Sequence, residues 1–159
     1  MKEKRFYTKS NREITYYGKE YGDLTVKNNI YLNIKTLNDL FEKLLLCYAK
    51  ETAYPSCQKD YDYNNDPTYG QCAITAMIVN DIFGGTIHRI RVNGGTHYFN
   101  MIDNHYIDLT RDQFTLYDID INYEPNDEIP LEYCGKNEDT KYRYNLLKEK
   151  LEMLEENIW

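Results

Sequence analysis

Thr68-Tyr-Gly-Gln-Cys-Ala-Ile-Thr-Ala-Met77, running on through Ile78-Val-Asn-Asp-Ile-Phe-Gly-Gly85, governs how the rest of the chain is read. Thr68 and Gln71 fit the S/T-x-x-E/Q capping box that opens a helix, and Gly84-Gly85 supplies the C-terminal stop. Between them, Ala73 to Val79 are apolar or small almost all round. Such a helix is enclosed on most sides instead of lying on a surface. Cys72 falls in its first turn. There the positive end of the helix dipole favours a thiolate, and N–H groups without intrahelical partners can receive a developing oxyanion.

A cysteine so placed needs an imidazole to take its proton and an acceptor to orient that imidazole. Three strands follow the helix, at 86–92, 96–102 and 105–110, with turn signals at Asn93-Gly94-Gly95 and Asp103-Asn104. Side chains alternate along a strand, so His97, Phe99 and Met101 share a face. A two- or four-residue turn at Asp103-Asn104 pairs residue 99 with residue 108 and sets Asp108 diagonally beside His97. A three-residue turn sends Asp108 to the other face. If Asn93-Gly94 is a two-residue turn, His97 lies opposite Ile90, on an apolar face able to pack against a helix.

Upstream, Leu37, Leu40, Phe41, Leu44, Leu45 and Tyr48 keep the spacing of an amphipathic helix, opened by a Thr36/Asp39 box. Residues 52–68 read as a polar loop with Pro55 and Pro67. Residues 1–35 read as two or three short strands, around Ile14–Tyr17, Leu24–Val26 and Ile30–Ile34, punctuated by Gly18 and Gly22. Residues 111–135 are mixed loop with short strands. A C-terminal helix starts near Asp139-Thr140 and carries Leu147, Leu151, Leu154 and Ile158. The expectation is an α+β protein, with residues 1–35 as an N-terminal extension and residues 36–159 as one domain whose cysteine helix packs on an antiparallel sheet.

With 42% hydrophobic and 28% charged residues in 159, the chain is neither a disordered tail nor a collagen-like fibre. A net charge of −7 argues against nucleic acid as a partner, and the basic residues from Lys2 to Arg12 read as a solvated arm. No apolar run approaches the ~20 residues that span a bilayer. The start lacks the apolar core of a secretory signal, so a cytoplasmic protein without membrane partners is expected. Cys47, Cys57, Cys72 and Cys134 form no C-x-x-C pair and are expected as reduced thiols.

Tyr69-Gly-Gln-Cys72 followed by small and apolar residues resembles the nucleophile motif of transglutaminases, which likewise precedes His and Asp on strands. Gly70-Gln-Cys-Ala-Ile-Thr-Ala-Met77, Asp81-Ile-Phe-Gly-Gly85, His97-Tyr-Phe-Asn100, Ile107-Asp-Leu-Thr-Arg-Asp-Gln-Phe114 and Thr140-Lys-Tyr-Arg-Tyr-Asn-Leu-Leu147 resemble the pattern of the YunG-like family of small bacterial proteins. The likeness runs from about Leu37 to Leu154. It implies a papain-like (transglutaminase-like) thiol fold with Cys72, His97 and Asp108 as the catalytic triad. It implies no substrate. Only 25 residues separate Cys72 from His97, and no acidic cluster suggests the calcium sites of transglutaminases.

Each residue also has a plainer reading. Cys72 fits a structural thiol in a packed helix, and His97 a histidine at a hairpin mouth. Asp108 fits an ion pair with Arg89, Arg91 or Arg111. His88 and His105 read as structural or surface residues, and Cys47 as core. A metal site joining the triad to Cys57 or Cys134 has no support in the spacing, so neither metal nor cofactor is expected. Gln71 either closes the capping box or binds a substrate carbonyl oxygen, and Gln58 or Asn64 are candidates for a second oxyanion donor from upstream. The leading expectation is an acyl-transfer enzyme on an amide, isopeptide or ester bond of a peptide-like or small substrate. Hydrolysis, deamidation and transamidation stay open, as does the oligomeric state. The rival is a catalytically silent papain-like domain used for binding or assembly.

Overall fold

The computed structural model describes residues 4–93 and 95–156; Lys2 of the basic start, Gly94 of the first turn and Ile158 of the expected helical stripe lie outside the described residues. The chain opens with two short antiparallel strands, β1 (Phe6–Tyr7) and β2 (Glu13–Ile14). There follow α1 (Leu37–Cys47), α2 (Cys72–Phe83), β3 (Thr86–Val92), β4 (Gly95–Ile102), β5 (His105–Ile107), α3 (Asp112–Thr115), β6 (Asp127–Ile129), α4 (Leu131–Lys136) and α5 (Glu138–Glu156). The architecture is α+β, built on an antiparallel sheet in the order β5-β4-β3-β6. Among the described residues, no helix is long and apolar enough to cross a membrane.

α1 starts where its capping box predicts. Asp39 N–H donates to Thr36 Oγ1 over 3.2 Å, and Thr36 N–H donates to Asp39 Oδ2 over 3.1 Å. Leu37, Leu40, Phe41, Leu44 and Cys47 turn its buried stripe into the core.

α2 begins differently from its sequence pattern. The expected box between Thr68 and Gln71 does not form: Gln71 is itself the N-cap, without a side-chain cap. Its amide nitrogen reaches Ala49 O at 3.0 Å instead, and Thr68 Oγ1 has no partner. Burial explains the departure. Both side chains are enclosed, so the long Gln71 amide is drawn to a carbonyl inside the fold and cannot fold back on its own helix. The C-terminal stop is as expected, with Gly84 at φ 73° and its N–H on Asn80 O.

The hairpin turns carry the register. Ile102 pairs with His105, and both intervening residues, Asp103 (φ 50°) and Asn104 (φ 68°), adopt the left-handed region that a tight two-residue turn requires. The parity on which Asp108 depended is therefore the favourable one. In the preceding hairpin Val92 pairs with Gly95 and Ile90 with His97.

The face assignment needs a correction. α2 packs on the face bearing Tyr98, Asn100 and Ile102, where Asn100 Nδ2 donates to Ala76 O over 2.9 Å. The His97–Phe99 face is instead covered by Tyr123, with Ile90, Phe99 and Tyr123 forming a separate apolar cluster. Cys72 can still approach His97 because it sits at the end of α2, beside the sheet edge.

The third strand is shorter than the expected 105–110. β5 ends at Ile107, and Asp108 pairs with Tyr17, exchanging backbone hydrogen bonds of 3.1 and 3.0 Å. The first 35 residues pair less than expected: beyond β1 and β2, the backbone makes isolated bridges at Tyr17–Asp108 and Thr25–Thr36, with no strand at 30–34. Their side chains nonetheless enter the main core. Phe6, Ile14, Tyr16, Tyr31 and Ile34 cluster with the stripe of α1 and with Ile74, Ile78 and Ile82 of α2.

Candidate active site

Cys72 is the first residue of α2, and Thr75 N–H makes the first helical bond, to Gln71 O at 3.1 Å. The N–H groups of Cys72, Ala73 and Ile74 precede that bond and have no intrahelical acceptor. Gly70 shapes the approach. Its φ is +74°, and a Cβ there would lie 2.9 Å from Cys57 Cβ and 3.1 Å from Tyr54 N. Only glycine lets the chain pass so close to the 3-10 turn at Pro55–Asp60.

Because β5 stops at Ile107, β4 has no strand partner beside Tyr98 on that side. The Tyr98 backbone N–H there favours the ionised form of the Cys72 sulfur. On the next residue, His97 is almost wholly buried, at 1% exposure, whereas Cys72 is partly exposed. His97 Nε2 lies 2.7 Å from Asp108 Oδ2. A carboxylate only accepts, so Nε2 carries the proton and Nδ1 is the ring's remaining acceptor. Nδ1 is sealed from solvent without an aligned hydrogen-bond partner, yet the Cys72 sulfur is close enough for ring and thiol to shift each other's proton affinity. A loose contact of this kind is common in a thiol site without substrate.

Asp108 is held on both oxygens. Oδ2 also accepts from Tyr123 Oη at 2.7 Å, and Oδ1 accepts from Thr110 N at 3.1 Å and Thr110 Oγ1 at 3.3 Å. Phe114 of α3 sets its ring edge-on to His97, 4.7 Å between centroids at 88°, and closes that side.

Burial and charge oppose each other at all three groups. Burial pushes the Cys72 thiol up, but the His97 contact, the charge on His97 and the Tyr98 N–H prevail and lower it from 9.0. Burial lowers His97, but the charge and hydrogen bond of Asp108, helped by Cys72, raise it from 6.5 to about 10. Burial raises Asp108, but His97, Tyr123 and Thr110 hold it below 3.8. The two buried thiols move the opposite way: desolvation lifts Cys47 to about 12 and also raises Cys134. Cys72 is thus distinguished by its partners, since burial alone would make it inert.

Two of the three upstream amides are committed elsewhere: Gln71 Nε2 is on Ala49 O and Gln58 Nε2 donates to Ala53 O at 3.0 Å. Asn64 is exposed, and its backbone carbonyl accepts from Ser10 N. His88 bonds Thr86 and Asn126, and His105 stacks on Tyr21. Tyr123, Thr110, Phe114 and the Tyr98 N–H are the contributors that motif reading missed. Of these, Thr110 carried a signal, since a threonine two residues after an aspartate readily donates back to it. Among the described residues, no group of three His, Cys, Asp or Glu is arranged to hold a metal ion. A surface cavity of about 740 Å³ is lined by Arg89, Ile90, Arg91, Asp120, Glu124 and Asp127, and Cys72 is not among its walls.

The helix-borne cysteine, the strand histidine and the aspartate all lie within residues 36–155, the span matched by a family whose description is "YunG protein". The chain belongs to the YunG family. A relative in Bacillus subtilis (strain 168), described as "Uncharacterized protein YunG", is 44% identical over 48 residues, which cover 30% of this chain and 42% of that protein. The chain therefore matches less than half the length of that curated relative. No solved structure matches it. The matched family span includes Tyr123 and Arg111 but not Tyr17, the strand partner of Asp108.

Proposed function

We propose that this YunG-family protein is a thiol-dependent acyl-transfer enzyme acting on an amide, isopeptide or ester bond, with a papain-like, transglutaminase-like arrangement of Cys72, His97 and Asp108. The observation that carries the reading is the file of three buried or half-buried groups, sulfur to imidazole to carboxylate, closed by the 2.7 Å bond from His97 to Asp108. The chain order supports it: cysteine at a helix start, histidine on one strand, aspartate just past the next. The papain-like domain is residues 36–159, with residues 1–35 added to it.

In this mechanism His97 Nδ1 takes the Cys72 proton, and the thiolate attacks the carbonyl carbon to form a carbon–sulfur bond. The electron pair displaced onto oxygen is received by the N–H groups at the start of α2. As the tetrahedral intermediate collapses, the carbon–nitrogen or carbon–oxygen bond breaks and His97 returns the proton to the leaving group. Water or an amine then adds to the thioester, gives its proton to His97 and frees the thiol. Asp108 keeps the imidazole in the productive tautomer throughout. The substrate is a peptide-like or small amide, and the compartment is the cytoplasm, where thiols stay reduced.

The position of this cavity away from Cys72 favours a second reading, a silent papain-like fold that binds between β3 and the 120–127 segment. Acylation separates the two. Incubation with p-nitrophenyl acetate, followed by intact-mass and peptide mapping, should place a thioester on Cys72 that is absent in Cys72→Ala and strongly reduced in His97→Ala. A wild-type chain that takes up no acyl group at Cys72 supports the binding reading instead.

A further inference from the structure

Behind the triad, the hydrogen bonding continues through two further side chains. Tyr123 is 7% exposed, and its hydroxyl donates to Asp108 Oδ2 over 2.7 Å, the same oxygen that receives His97 Nε2. Arg111 Nη1 in turn donates to Tyr123 Oη over 3.1 Å. The Arg111 guanidinium lies 5.5 Å from the ring centroids of both Tyr17 and Tyr123, and those two rings stand 4.6 Å apart. Tyr17 also pairs its backbone with Asp108. A phenol, a cation and a strand bridge from the N-terminal segment therefore converge on one carboxylate.

Resting on the proposed Cys72–His97–Asp108 reading, we infer that Tyr123, polarised by Arg111, is a positioning residue that sets how strongly Asp108 holds the His97 proton. An oxygen that serves two donors offers less of its charge to each. The Tyr123 hydroxyl thus fixes the carboxylate plane and moderates its pull on the imidazolium, so that His97 can release its proton to a leaving group during turnover. The phenol remains a donor at every accessible pH, because burial and then the Asp108 charge push its proton affinity far up. The charged or titratable groups around the His97–Asp108 pair include Cys72 from α2, Tyr48 beyond α1, Arg111 and Tyr123 from the segment after β5, and Tyr17 from the N-terminal segment.

The test is a nitrogen NMR titration of the His97 ring in the full chain labelled at histidine, with resonances assigned by His97→Gln. Tyr123→Phe removes one donor and keeps the ring, so the His97 midpoint should rise by about one pH unit, the scale of a hydrogen bond to a charged group. Arg111→Gln leaves the phenol but removes the cation behind it, and should move the midpoint the same way by less. If Tyr123→Phe fails to fold, Arg111→Gln carries the test. Midpoints that stay at the wild-type value, or fall, overturn the inference. A failure here is distinguishable from failure of the triad, which would show as a wild-type Cys72 that takes no acyl group.

Discussion

His97 Nε2 and Asp108 Oδ2 meet at 2.7 Å between residues that are diagonal, not opposite, across the hairpin: the register pairs Asn100 with Ile107 and Ile102 with His105. Diagonal neighbours stand about 7–8 Å apart, a span that an aromatic side chain such as imidazole can cross to reach a carboxylate. Both groups are about 1% exposed, so their attraction is little screened. The rest of the site depends on it, since a proton held on Nε2 leaves Nδ1 as the ring's acceptor.

Breaking this contact should be costly. Asp108→Asn keeps the shape and removes the charge, and should destabilise the protein by about 3 kcal/mol at neutral pH, as when one partner of a buried pair is lost. The His97 contribution is complete below 6.5, its ordinary value, and is lost as pH rises through about 10. The Asp108 contribution is complete above 3.8 and is lost as pH falls through its lowered folded value. Urea denaturation of both proteins should therefore show the largest difference between these limits and a narrowing gap outside them.

Gly70→Ala should damage the thiol site and the fold together. The new Cβ has to share space with Cys57 Cβ and Tyr54 N while φ stays at +74°. A loss of about 2 kcal/mol is expected, within the usual range for a strained left-handed position. Adding Cys57→Gly, which clears the Cβ contact, should return part of the melting temperature. Full stability in Gly70→Ala alone would contradict the close passage.

The N-terminal segment should matter to stability although the family match starts at residue 36. Phe6 is 4% exposed and sets its ring edge-on against Phe41, 4.9 Å between centroids at 88°. Phe6→Ala should cost about 3 kcal/mol, the lower part of the range for a buried phenylalanine. Guanidinium unfolding gives the value directly.

Thr36→Ala offers a control far from the site. It removes the acceptor of the reciprocal α1 cap and should cost about 1 kcal/mol while leaving Cys72 acylation unchanged.

Local chemistry made much of this arrangement readable. Asp103 and Asn104 are residues that tolerate positive φ, so the place of the turn was legible, whereas its length and the side of Asp108 are fixed only by the pairing of Ile102 with His105. The α1 cap and stripe were legible for the same reason: every interaction lies within a few residues. The Thr68/Gln71 box failed because both side chains are buried, where tertiary partners such as Ala49 O outcompete a local cap. Tyr123 was invisible because the segment between Arg111 and β6 has no period that assigns its residues to a face. The side of the sheet that meets α2 was not legible, because the alternation of β4 shows which residues share a side, not which side meets the helix. Tyr17 illustrates the limit most sharply, since nothing local in its strand pattern names Asp108 as the partner.

The most direct test of the central claim is the pH dependence of Cys72 alkylation by iodoacetamide, followed residue by residue by mass spectrometry. Wild-type Cys72 should react at about neutral pH with a midpoint below the ordinary 9.0, while Cys47, pushed up to about 12, stays unmodified. His97→Ala should return the midpoint to 9.0 or above and slow the reaction. A Cys72 that titrates at 9.0 or higher in both proteins, or that labels only when denaturant opens the fold, would contradict the account.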